Sequence, residues 1–336
     1  MTKKELLKII KAVSLVTIKR STLSVCRKIR ITNGNIFRAT DLEQWITVTK
    51  PGGGPEFDVV VDAVELKAVV KALPGGEVDL SAGDGRLHVG PFTIQTSLAT
   101  DFPPAPTKKV IHNRTVDATT FSEALKKVAF GASTDDTRPS LCGIFWAEGA
   151  LVATDGRRLV RCTLPSGDIR VILSPACAKI FPVLFPDGTA RVEVSEGFIT
   201  FTDATTCYTS KQVDGPYPEY KKVLPQEHKT TATFNKSQFK EEVKRAAVSA
   251  NVVVLNFTDK LDISTLVEGK EYAGTMVATV IGAPLRIGFN AKYLLEILDR
   301  CVGETIELRM ASPLRGMIII PQDGDDMYLQ MPVEIE

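Results

Sequence analysis

The feature that most constrains the fold of this 336-residue chain is a pattern that recurs three times along it. An Ala-Thr-Asp tripeptide at residues 39–41 returns at 153–155. Apolar stripes of helical spacing around Leu6, Phe121 and Phe239 are separated by 115 and 118 residues. Self-similarity at a fixed interval is typical of repeated domains. The sequence therefore predicts three domains, at residues 1–111, 112–228 and 229–336.

Each third of the chain carries two segments of helical periodicity and several short strand-like segments. The predicted helices are residues 3–18, 62–73, 117–130, 174–184, 236–249 and 291–301. A unit of this kind buries one face of a sheet under its helices, which predicts an α+β fold. Three unrelated α+β domains of similar size are the alternative, and the agreement of the intervals favours the repeat.

The composition is typical of a soluble protein of several domains, with 44% hydrophobic and 24% charged residues. No run of about 18 apolar residues predicts a transmembrane helix, and the first ten residues lack the apolar core of a signal peptide. The six cysteines have no C-x-x-C spacing, which favours reduced thiols in a cytoplasmic protein. We therefore expect a cytoplasmic location and no membrane partner.

The net charge is only +1, yet the positive charge is concentrated on the predicted helices. These segments and their ends carry 17 basic residues against 9 acidic ones. Helices that all face one way would form a continuous basic surface, which suits a phosphate backbone because neutralising phosphates releases counterions. Such contacts position DNA without reading its sequence. For any single helix an ordinary solvated face is the simpler interpretation, and the repetition in the first and third units favours DNA.

The chain has none of the common catalytic or nucleotide-binding motifs. It contains no G-x-x-x-x-G-K-[ST], no G-x-G-x-x-G at a strand–helix junction, no H-E-x-x-H and no G-x-S-x-G. The three histidines are isolated, so we expect no metal site and no cofactor. A metal-dependent hydrolase that uses Asp135, Asp136 and Asp155 is the alternative, although adjacent acids of this kind are more often a solvated turn.

Segments found in order along nearly the whole chain resemble the bacterial sliding clamp family, the β subunit of DNA polymerase III. They are Thr40–Glu43 (TDLE), Asp101–Pro103 (DFP), Ser133–Gly143 (STDDTRPSLCG), Ala153–Leu159 (ATDGRRL), Ser210–Pro225 (SKQVDGPYPEYKKVLP), Gly288–Asn290 (GFN) with Tyr293, and Met331–Pro332. The most specific part is ATDG-R-RL followed by DG-x-[FY]-P-x-Y, whereas any one piece alone is weak.

The resemblance implies a DNA-clamp fold of three pseudo-repeated domains, each with two helices against β-sheet. It implies a head-to-tail homodimer that closes into a ring around double-stranded DNA, independently of sequence. It also implies a non-catalytic processivity factor of DNA replication. DNA polymerase and clamp-loader subunits are the implied partners, and they bind through short linear peptides.

Matching by position also implies three sets of functional residues. The wall of the peptide pocket is expected from Leu141, Thr154, Gly156, Arg157, Arg158, Leu159, Pro218, Lys222, Val223, Tyr293, Met331, Pro332 and Val333. DNA-facing positions match Lys8, Arg20 and Lys71, and the basic helix stripes add Lys126, Lys127, Lys240 and Lys244. At the dimer interface, Phe92 and Ile94 should meet Val248 of the second subunit.

The chain departs from the family pattern at two places beside the expected pocket. The family usually has His where Arg157 stands, and a basic residue commonly precedes its C-terminus, whereas this chain ends Val333-Glu334-Ile335-Glu336. We expect both departures to affect which peptides bind. Pro139 and Ser140 also replace residues that touch DNA in some members of the family.

Overall fold

A computed structural model describes residues 1–164, 169–266 and 270–335 of the chain. By its tertiary contacts, the described part of the chain forms two units, and each unit is made of two stretches of sequence. Unit 1 comprises Met1–Ser122 with Leu173–Val213, and unit 2 comprises Glu123–Ile172 with Asp214–Glu336. This division does not test the predicted three-domain boundaries, which stay a prediction.

Within the described residues, all six predicted helices are present, with ends shifted by a few positions. The helices are α1 (Lys3–Val13), α2 (Ala63–Ala72), α3 (Ala118–Val128), α4 (Pro139–Cys142), α5 (Pro175–Leu184), α6 (Lys236–Ala247) and α7 (Ala291–Leu298). Short 3₁₀ helices span Ser14–Val16, Ser24–Arg27, Ala99–Asp101, Ala129–Gly131 and Tyr220–Val223. Side-chain caps set several starts: Thr2 and Glu5 form a capping box on α1, and Ser174 caps α5.

The strands are distributed along the whole described chain. They are β1 (Lys28–Thr32), β2 (Ile36–Thr40), β3 (Gln44–Thr49), β4 (Asp58–Asp62), β5 (Leu80–Gly83), β6 (Arg86–Val89), β7 (Phe92–Gln95), β8 (Val110–Asp117), β9 (Ile144–Ala147), β10 (Ala150–Thr154), β11 (Arg158–Thr163), β12 (Arg170–Leu173), β13 (Thr189–Ser195), β14 (Phe198–Thr202), β15 (Thr206–Lys211), β16 (Thr230–Asn235), β17 (Val252–Phe257), β18 (Leu261–Ser264), β19 (Ala273–Met276), β20 (Thr279–Gly282), β21 (Leu285–Asn290), β22 (Thr305–Met310), β23 (Met317–Pro321) and β24 (Met327–Gln330).

Unit 1 contains a large sheet of strand order β4-β1-β2-β3-β15-β14-β13-β8 and a smaller one of order β5-β6-β7. Successive side chains of a strand point to opposite faces, and β1 and β3 accordingly bury every second residue. Helix α1 packs on β2 and β3. Elsewhere in the same sheet, Phe201 of β14 belongs to an aromatic cluster in which Phe181 lies 4.8 Å from both Phe121 and Phe201, ring centroid to centroid. The opposite face of β1–β3 carries most of their polar and charged residues, including Arg30, Arg38 and Thr47, whereas Gln44 lies on the buried face.

Unit 2 contains a sheet of strand order β12-β9-β10-β11-β24-β23-β22-β16-β20 and another of order β19-β18-β17-β21. Antiparallel pairing of β11 with β24 places Leu159 opposite Leu329. The turn between β10 and β11 therefore lies beside the chain that leaves β24. This pairing brings the Ala-Thr-Asp-Gly segment and the C-terminal residues to one edge of the unit.

The structure differs from the sequence-based prediction at several element ends. The α-helix expected over residues 3–18 ends at Val13 and continues as the 3₁₀ helix Ser14–Val16. The strand expected over residues 328–335 ends at Gln330, because Pro332 has no N–H to donate to a ladder. The sequence also does not predict β8 or β15, whose polar residues are held in strands by distant partners.

No helix in the described part of the chain is long and apolar enough to cross a membrane. The six cysteines are free thiols. Burial raises the pKa of the Cys177 thiol to about 12, so this thiol stays protonated and packs as an apolar group.

Candidate peptide-binding site

The turn between β10 and β11 is held by hydrogen bonds between its own side chains and backbone. Asp155 Oδ1 accepts from the backbone N–H groups of Arg157 and Arg158, both at 2.9 Å. Thr154 Oγ1 donates to the Arg158 carbonyl at 2.6 Å and accepts from the Gly156 N–H at 3.1 Å. Gly156 has a φ of +88°, which residues with a Cβ rarely adopt. The Thr-Asp-Gly sequence therefore specifies the shape of this turn.

Arg158 fastens the turn to α7. Its Nε donates to Asp155 Oδ2 at 3.1 Å, and its guanidinium also forms an ion pair with Glu296. It donates to the Phe130 carbonyl at 2.9 Å and lies 4.5 Å from the Tyr293 ring centroid. Arg158 is only 8% exposed, so these groups replace the water that burial removed.

The C-terminal segment passes directly beside the turn. The Met331 N–H donates to the Arg157 carbonyl at 2.8 Å, and the Val333 N–H donates to the Gly288 carbonyl at 2.8 Å. A Cβ added to Gly288 would lie only 2.5 Å from Cγ2 of Ile335. The segment can therefore follow this path only because residue 288 has no side chain. Glu336, the last residue of the acidic end, lies outside the described residues.

Gln330 lies at the junction between β24 and α7. Its side chain is fully buried, and Nε2 donates to the Asn290 carbonyl at 2.9 Å. Asn290 in turn caps α7, because its Oδ1 accepts from the Tyr293 N–H at 3.2 Å. Gln330 Oε1 is buried and has no hydrogen-bond partner in the part of the chain that the structure describes. Buried acceptors usually have a hydrogen-bond partner, so Gln330 Oε1, next to Met331 in the chain, is an exception.

The short helix α4 supplies a further wall residue. Leu141 is 9% exposed, and its carbonyl accepts from the Ser133 N–H at 2.8 Å. Arg138 precedes α4 and lies against the turn, since a Cβ on Gly156 would be 3.4 Å from Arg138 Nη1. The start of α4 and the β10–β11 turn are thus in contact.

The segment around Pro218 is anchored by its neighbour Tyr217. The Tyr217 Oη donates to the Val152 carbonyl in β10 at 3.4 Å. Pro218 and Lys222 are exposed, and Val223 is 48% exposed. These side chains are therefore accessible to a ligand. The segment is connected to the β10–β11 turn indirectly, through the hydrogen bond from Tyr217 to β10.

The predicted wall residues thus occupy different environments within unit 2. Direct contacts join the turn, Arg158, Tyr293 and Met331, whereas Val333 is held through Gly288. Leu159 is 1% exposed and lies inside the sheet opposite Leu329, so its side chain contributes to the core beneath the site. The surface of the site is formed by the half-exposed and exposed members, which include Arg157, Val223, Tyr293 and Met331–Val333.

Sequence reasoning missed three residues that shape this site: Phe130, Glu296 and Gln330. Glu296 carries a signal that could have found it, because it follows Tyr293 by three helical positions and shares its face. Gln330 immediately precedes the Met-Pro pair. Nothing in the local sequence marks Phe130, which reaches Arg158 through the tertiary fold.

Two of the three carboxylates of the hydrolase alternative, Asp135 and Asp155, are engaged in turn structure. Asp135 Oδ1 accepts from Thr137 Oγ1 at 2.6 Å, and Oδ2 accepts from Arg138 Nε at 2.9 Å. These hydrogen bonds hold the pKa of Asp135 below its usual value. Within residues 1–164, 169–266 and 270–335, no group of three or more metal-ligating side chains occurs. The geometry therefore does not favour a metal-dependent hydrolase.

The predicted DNA-binding residues divide into exposed and ion-paired side chains. The exposed ones are Lys8, Arg20, Lys71 and Lys126. The paired ones are Lys127 with Asp326 at 2.7 Å, Lys240 with Asp299, and Lys244 with Glu241 at 2.8 Å. In the described part of the chain, the exposed residues form no ion pair, whereas a carboxylate neutralises the charge of each paired lysine.

The predicted dimer residues lie at or near sheet edges. Phe92 is 37% exposed on β7, which ends its sheet, whereas Ile94 on the same strand is fully buried. Val248 follows α6 and is 70% exposed. In unit 2, β19 is likewise the last strand of its sheet.

Comparison with known proteins supports one family along most of the chain. Residues 115–219 match the family model for the central domain of the DNA polymerase III beta subunit, and residues 221–334 match the model for its C-terminal domain. The beta sliding clamp of Caulobacter vibrioides is 28% identical, and the match covers 98% of both chains. The beta sliding clamp of Pseudomonas aeruginosa is 26% identical, again over 98% of both.

Solved structures of similar proteins confirm the predicted clamp fold. The DNA polymerase III subunit beta of Pseudomonas aeruginosa matches with a TM-score of 0.90 at 24% identity, over 100% of this chain and 99% of that one. A sliding clamp from the same organism, bound to griselimycin, matches with a TM-score of 0.91 at 25% identity, over 100% and 98%. The clamp of Bacillus subtilis matches with a TM-score of 0.90 at 21% identity, over 100% and 98%.

Proposed function

This chain belongs to the DNA polymerase III beta subunit family, and we propose that it is a sliding clamp. Two copies form a ring around double-stranded DNA, and the ring tethers the replicative polymerase and other peptide-bearing partners. The protein performs no chemistry of its own. Tethering makes each rebinding of the polymerase an intramolecular event at high effective concentration, which is the origin of processivity.

The observation that carries this proposal is the convergence of the β10–β11 turn, α7 and the C-terminal segment on one surface. A short peptide needs an apolar slot for an anchor side chain and polar groups that orient its backbone. Met331, Pro332, Val223 and the Tyr293 ring supply apolar surface, and the exposed Arg157 supplies a polar group. We infer that partner peptides bind here.

The dimer is supported by the order of the sheets. Within unit 1, β3 pairs with β15, which continues the strands of the first third into those of the second. Within unit 2, β11 pairs with β24 and continues the second third into the last. We infer that β19 of one copy pairs with β7 of the other in the same way. Both strands are sheet edges in the described residues, and exposed edges need partners.

DNA contacts are assigned to the exposed basic residues of the helices and their ends. Lys8, Arg20, Lys71 and Lys126 carry charge that no ion pair neutralises in the described part of the chain. Non-specific phosphate contacts of this kind hold a duplex without fixing its position, so the ring can slide. We also infer a cytoplasmic location, where replication would employ it.

The ring is tested by topology. Protein loaded by its clamp loader onto nicked circular plasmid should remain bound during gel filtration and should be released when the plasmid is linearised. Retention on linear DNA to the same extent would show a contact that does not encircle, and the clamp proposal would then be wrong.

The peptide site is tested by the double variant Val223→Ala with Met331→Ala. Loss of two anchors should weaken binding of a polymerase peptide by about tenfold or more, while the dimer stays intact by sedimentation. The matched control is Leu314→Ala, which truncates an apolar side chain that is 74% exposed and outside the predicted wall. Equal processive synthesis by the double variant and the control would contradict the site assignment.

A further inference from the structure

A cavity of about 300 Å³ lies in unit 1 on the outward face of β1–β3. Arg30, Arg38 and Thr47 form a cross-strand row on this face, since Arg30 pairs with Arg38 and Arg38 with Thr47. The chain after the 3₁₀ helix Ala99–Asp101 forms the other wall, with residues 102–105. Phe102 is only 4% exposed, so a buried aromatic ring closes one side of the cavity.

Positive charge in this cavity exceeds negative charge. Arg30 binds Asp58 through two hydrogen bonds, Nε to Oδ1 at 2.9 Å and Nη2 to Oδ2 at 2.5 Å. Arg38 donates from Nη1 to Thr32 Oγ1 at 2.9 Å, which is a neutral acceptor. Two guanidinium groups thus share one carboxylate, and that carboxylate is already engaged by Arg30.

The electrostatic consequence is visible at Arg38. Burial, together with the neighbouring charge of Arg30, lowers the pKa of Arg38 from its ordinary value. A hydrogen bond from Arg30 lowers the pKa of Asp58, so the carboxylate stays ionised but serves Arg30. An additional anion beside Arg38 would supply the missing compensation.

Trp45 also lines this cavity. Its Nε1 is buried and has no acceptor among the residues that the structure describes. The ring stands edge-on to Phe198 with centroids 5.9 Å apart, which holds the indole in place. Apolar surface from Ala39, Phe102 and Pro103 surrounds it.

We propose that this cavity binds an acidic side chain of a partner peptide, an Asp or Glu flanked by an apolar residue. The carboxylate binds the Arg38 guanidinium, whose only hydrogen-bond partner in the described residues is the neutral Thr32 hydroxyl, and the Trp45 ring lies beside it in the cavity lining. The flanking residue contacts the apolar wall of residues 102–105. A peptide is favoured because Pro104 and Ala105 are exposed and extend that wall outward from the cavity.

This site is separate from the one described above, because every predicted wall residue of the peptide pocket belongs to unit 2. The inference does not rest on the proposed function. It would hold for any protein with these residues on the face of this sheet. Partners could therefore contact the protein at two places.

The test uses the full-length protein and its two tryptophans, Trp45 and Trp146. Each indole N–H gives one nitrogen–proton NMR signal, and Trp45→Phe assigns them. The probe is acetyl-Leu-Glu-Leu-amide, and its neutral counterpart is acetyl-Leu-Gln-Leu-amide. We expect the Glu peptide to shift the Trp45 signal in a saturable manner and to leave the Trp146 signal unchanged. No shift at millimolar peptide would overturn the proposal.

Variants identify the groups involved. Arg38→Met should weaken binding of the Glu peptide by about tenfold, as expected for loss of a charge-assisted hydrogen bond. The control Arg27→Met, which removes an exposed arginine of the same unit, should bind as the native protein does. Native-like amide signals of β1–β3 establish that unit 1 is folded in each variant, and an unperturbed Trp146 signal does the same for unit 2. Equal binding by Arg38→Met and the native protein would overturn the proposal.

Two ligand controls distinguish the chemistry. Sodium acetate tests whether a free anion suffices, and an affinity equal to that of the Glu peptide would overturn the role of the apolar wall. Binding of the Gln peptide with the affinity of the Glu peptide would overturn the role of charge. Selective binding of the Glu peptide would support the proposal in both respects.

Discussion

Arg158 is buried and Arg38 is half-buried, and the two arginines differ in the compensation that their surroundings offer. Arg158 meets the carboxylates of Asp155 and Glu296, a backbone carbonyl, and the ring of Tyr293. Arg38 meets the hydroxyl of Thr32 and the repulsion of a neighbouring arginine. Arg158 is paired with two carboxylates, whereas Arg38 has no carboxylate hydrogen-bonded to it in the described residues.

The surroundings of each arginine determine what it can do. A buried charge with complete partners fixes geometry, because moving any partner would leave another group unsatisfied. Arg158 therefore holds the turn against α7 in a single arrangement. A half-buried charge with incomplete partners costs some stability and favours the arrival of an anion. Arg158 therefore stabilises the peptide-binding site without contacting a ligand, whereas Arg38 is the proposed ligand-binding group.

The largest effect is expected from Arg158→Met. This substitution leaves Asp155 and Glu296 without their cation, and breaking a buried ion pair of this kind costs about 3–5 kcal/mol. Urea unfolding followed by Trp146 fluorescence in a Trp45→Phe background would measure it, because Trp146 then reports unit 2 alone. Peptide binding should weaken as well, since the turn and α7 lose their link.

The matched control for that experiment is Arg157→Met. Arg157 is exposed, and surface substitutions of this type usually change stability by less than about 0.5 kcal/mol. Equal unfolding midpoints for the two variants would mean that the Arg158 network contributes little. The proposed difference between Arg158 and Arg38 would then be wrong.

A smaller difference in stability is expected between substitutions of Lys127 and of Lys126. Lys127 pairs with Asp326, which is 6% exposed, whereas Lys126 is exposed. Lys127→Gln should cost about 1–3 kcal/mol because it leaves a buried carboxylate without its partner. Lys126→Gln should leave stability unchanged and reduce the salt dependence of DNA binding by about one phosphate contact.

The pH dependence of the Lys127 pair has a definite sign. Burial alone would lower the pKa of Lys127, but the hydrogen bond and charge of Asp326 outweigh it and raise the pKa above its usual 10.5. A raised lysine pKa stabilises the folded state fully below the unfolded value, and the stabilisation is lost as the pH rises through the folded value. Stability that falls between neutral pH and pH 9 in the native protein, but not in Lys127→Gln, would contradict this assignment.

Much of this organisation was accessible from the sequence, because it resides in local patterns. Apolar periodicity located all six longer helices, and the Thr154-Asp155-Gly156 turn was visible as a string of turn-forming residues. The resemblance of several segments indicated the family, which the comparisons confirm. The interval between repeats was visible because equivalent helices carry equivalent apolar residues.

The remainder depends on contacts between residues far apart in the chain. The partners of Arg158 come from residues 130, 155, 293 and 296, and no local rule connects them. Strands such as β8 and β15 are polar, and their extended form depends on the neighbours to which they pair. Arg38 and Trp45 were likewise unremarkable in sequence, because only the chain folded over them turns an exposed sheet face into a cavity.

The smallest effect is expected from Arg38→Met. Since the native guanidinium is desolvated and lacks a carboxylate of its own, its removal should change the stability of unit 1 by no more than about 1 kcal/mol, with stabilisation the expected direction. Hydrogen exchange of the amides in β1–β3 would measure this without a tryptophan probe. The contrasting variant Arg30→Met leaves Asp58 without its partner and should destabilise the same strands. If Arg38→Met instead destabilises β1–β3 as strongly as Arg30→Met does, then Arg38 is a structural group with full compensation. The distinction from Arg158 would disappear, and with it the reason to expect an anion in the cavity.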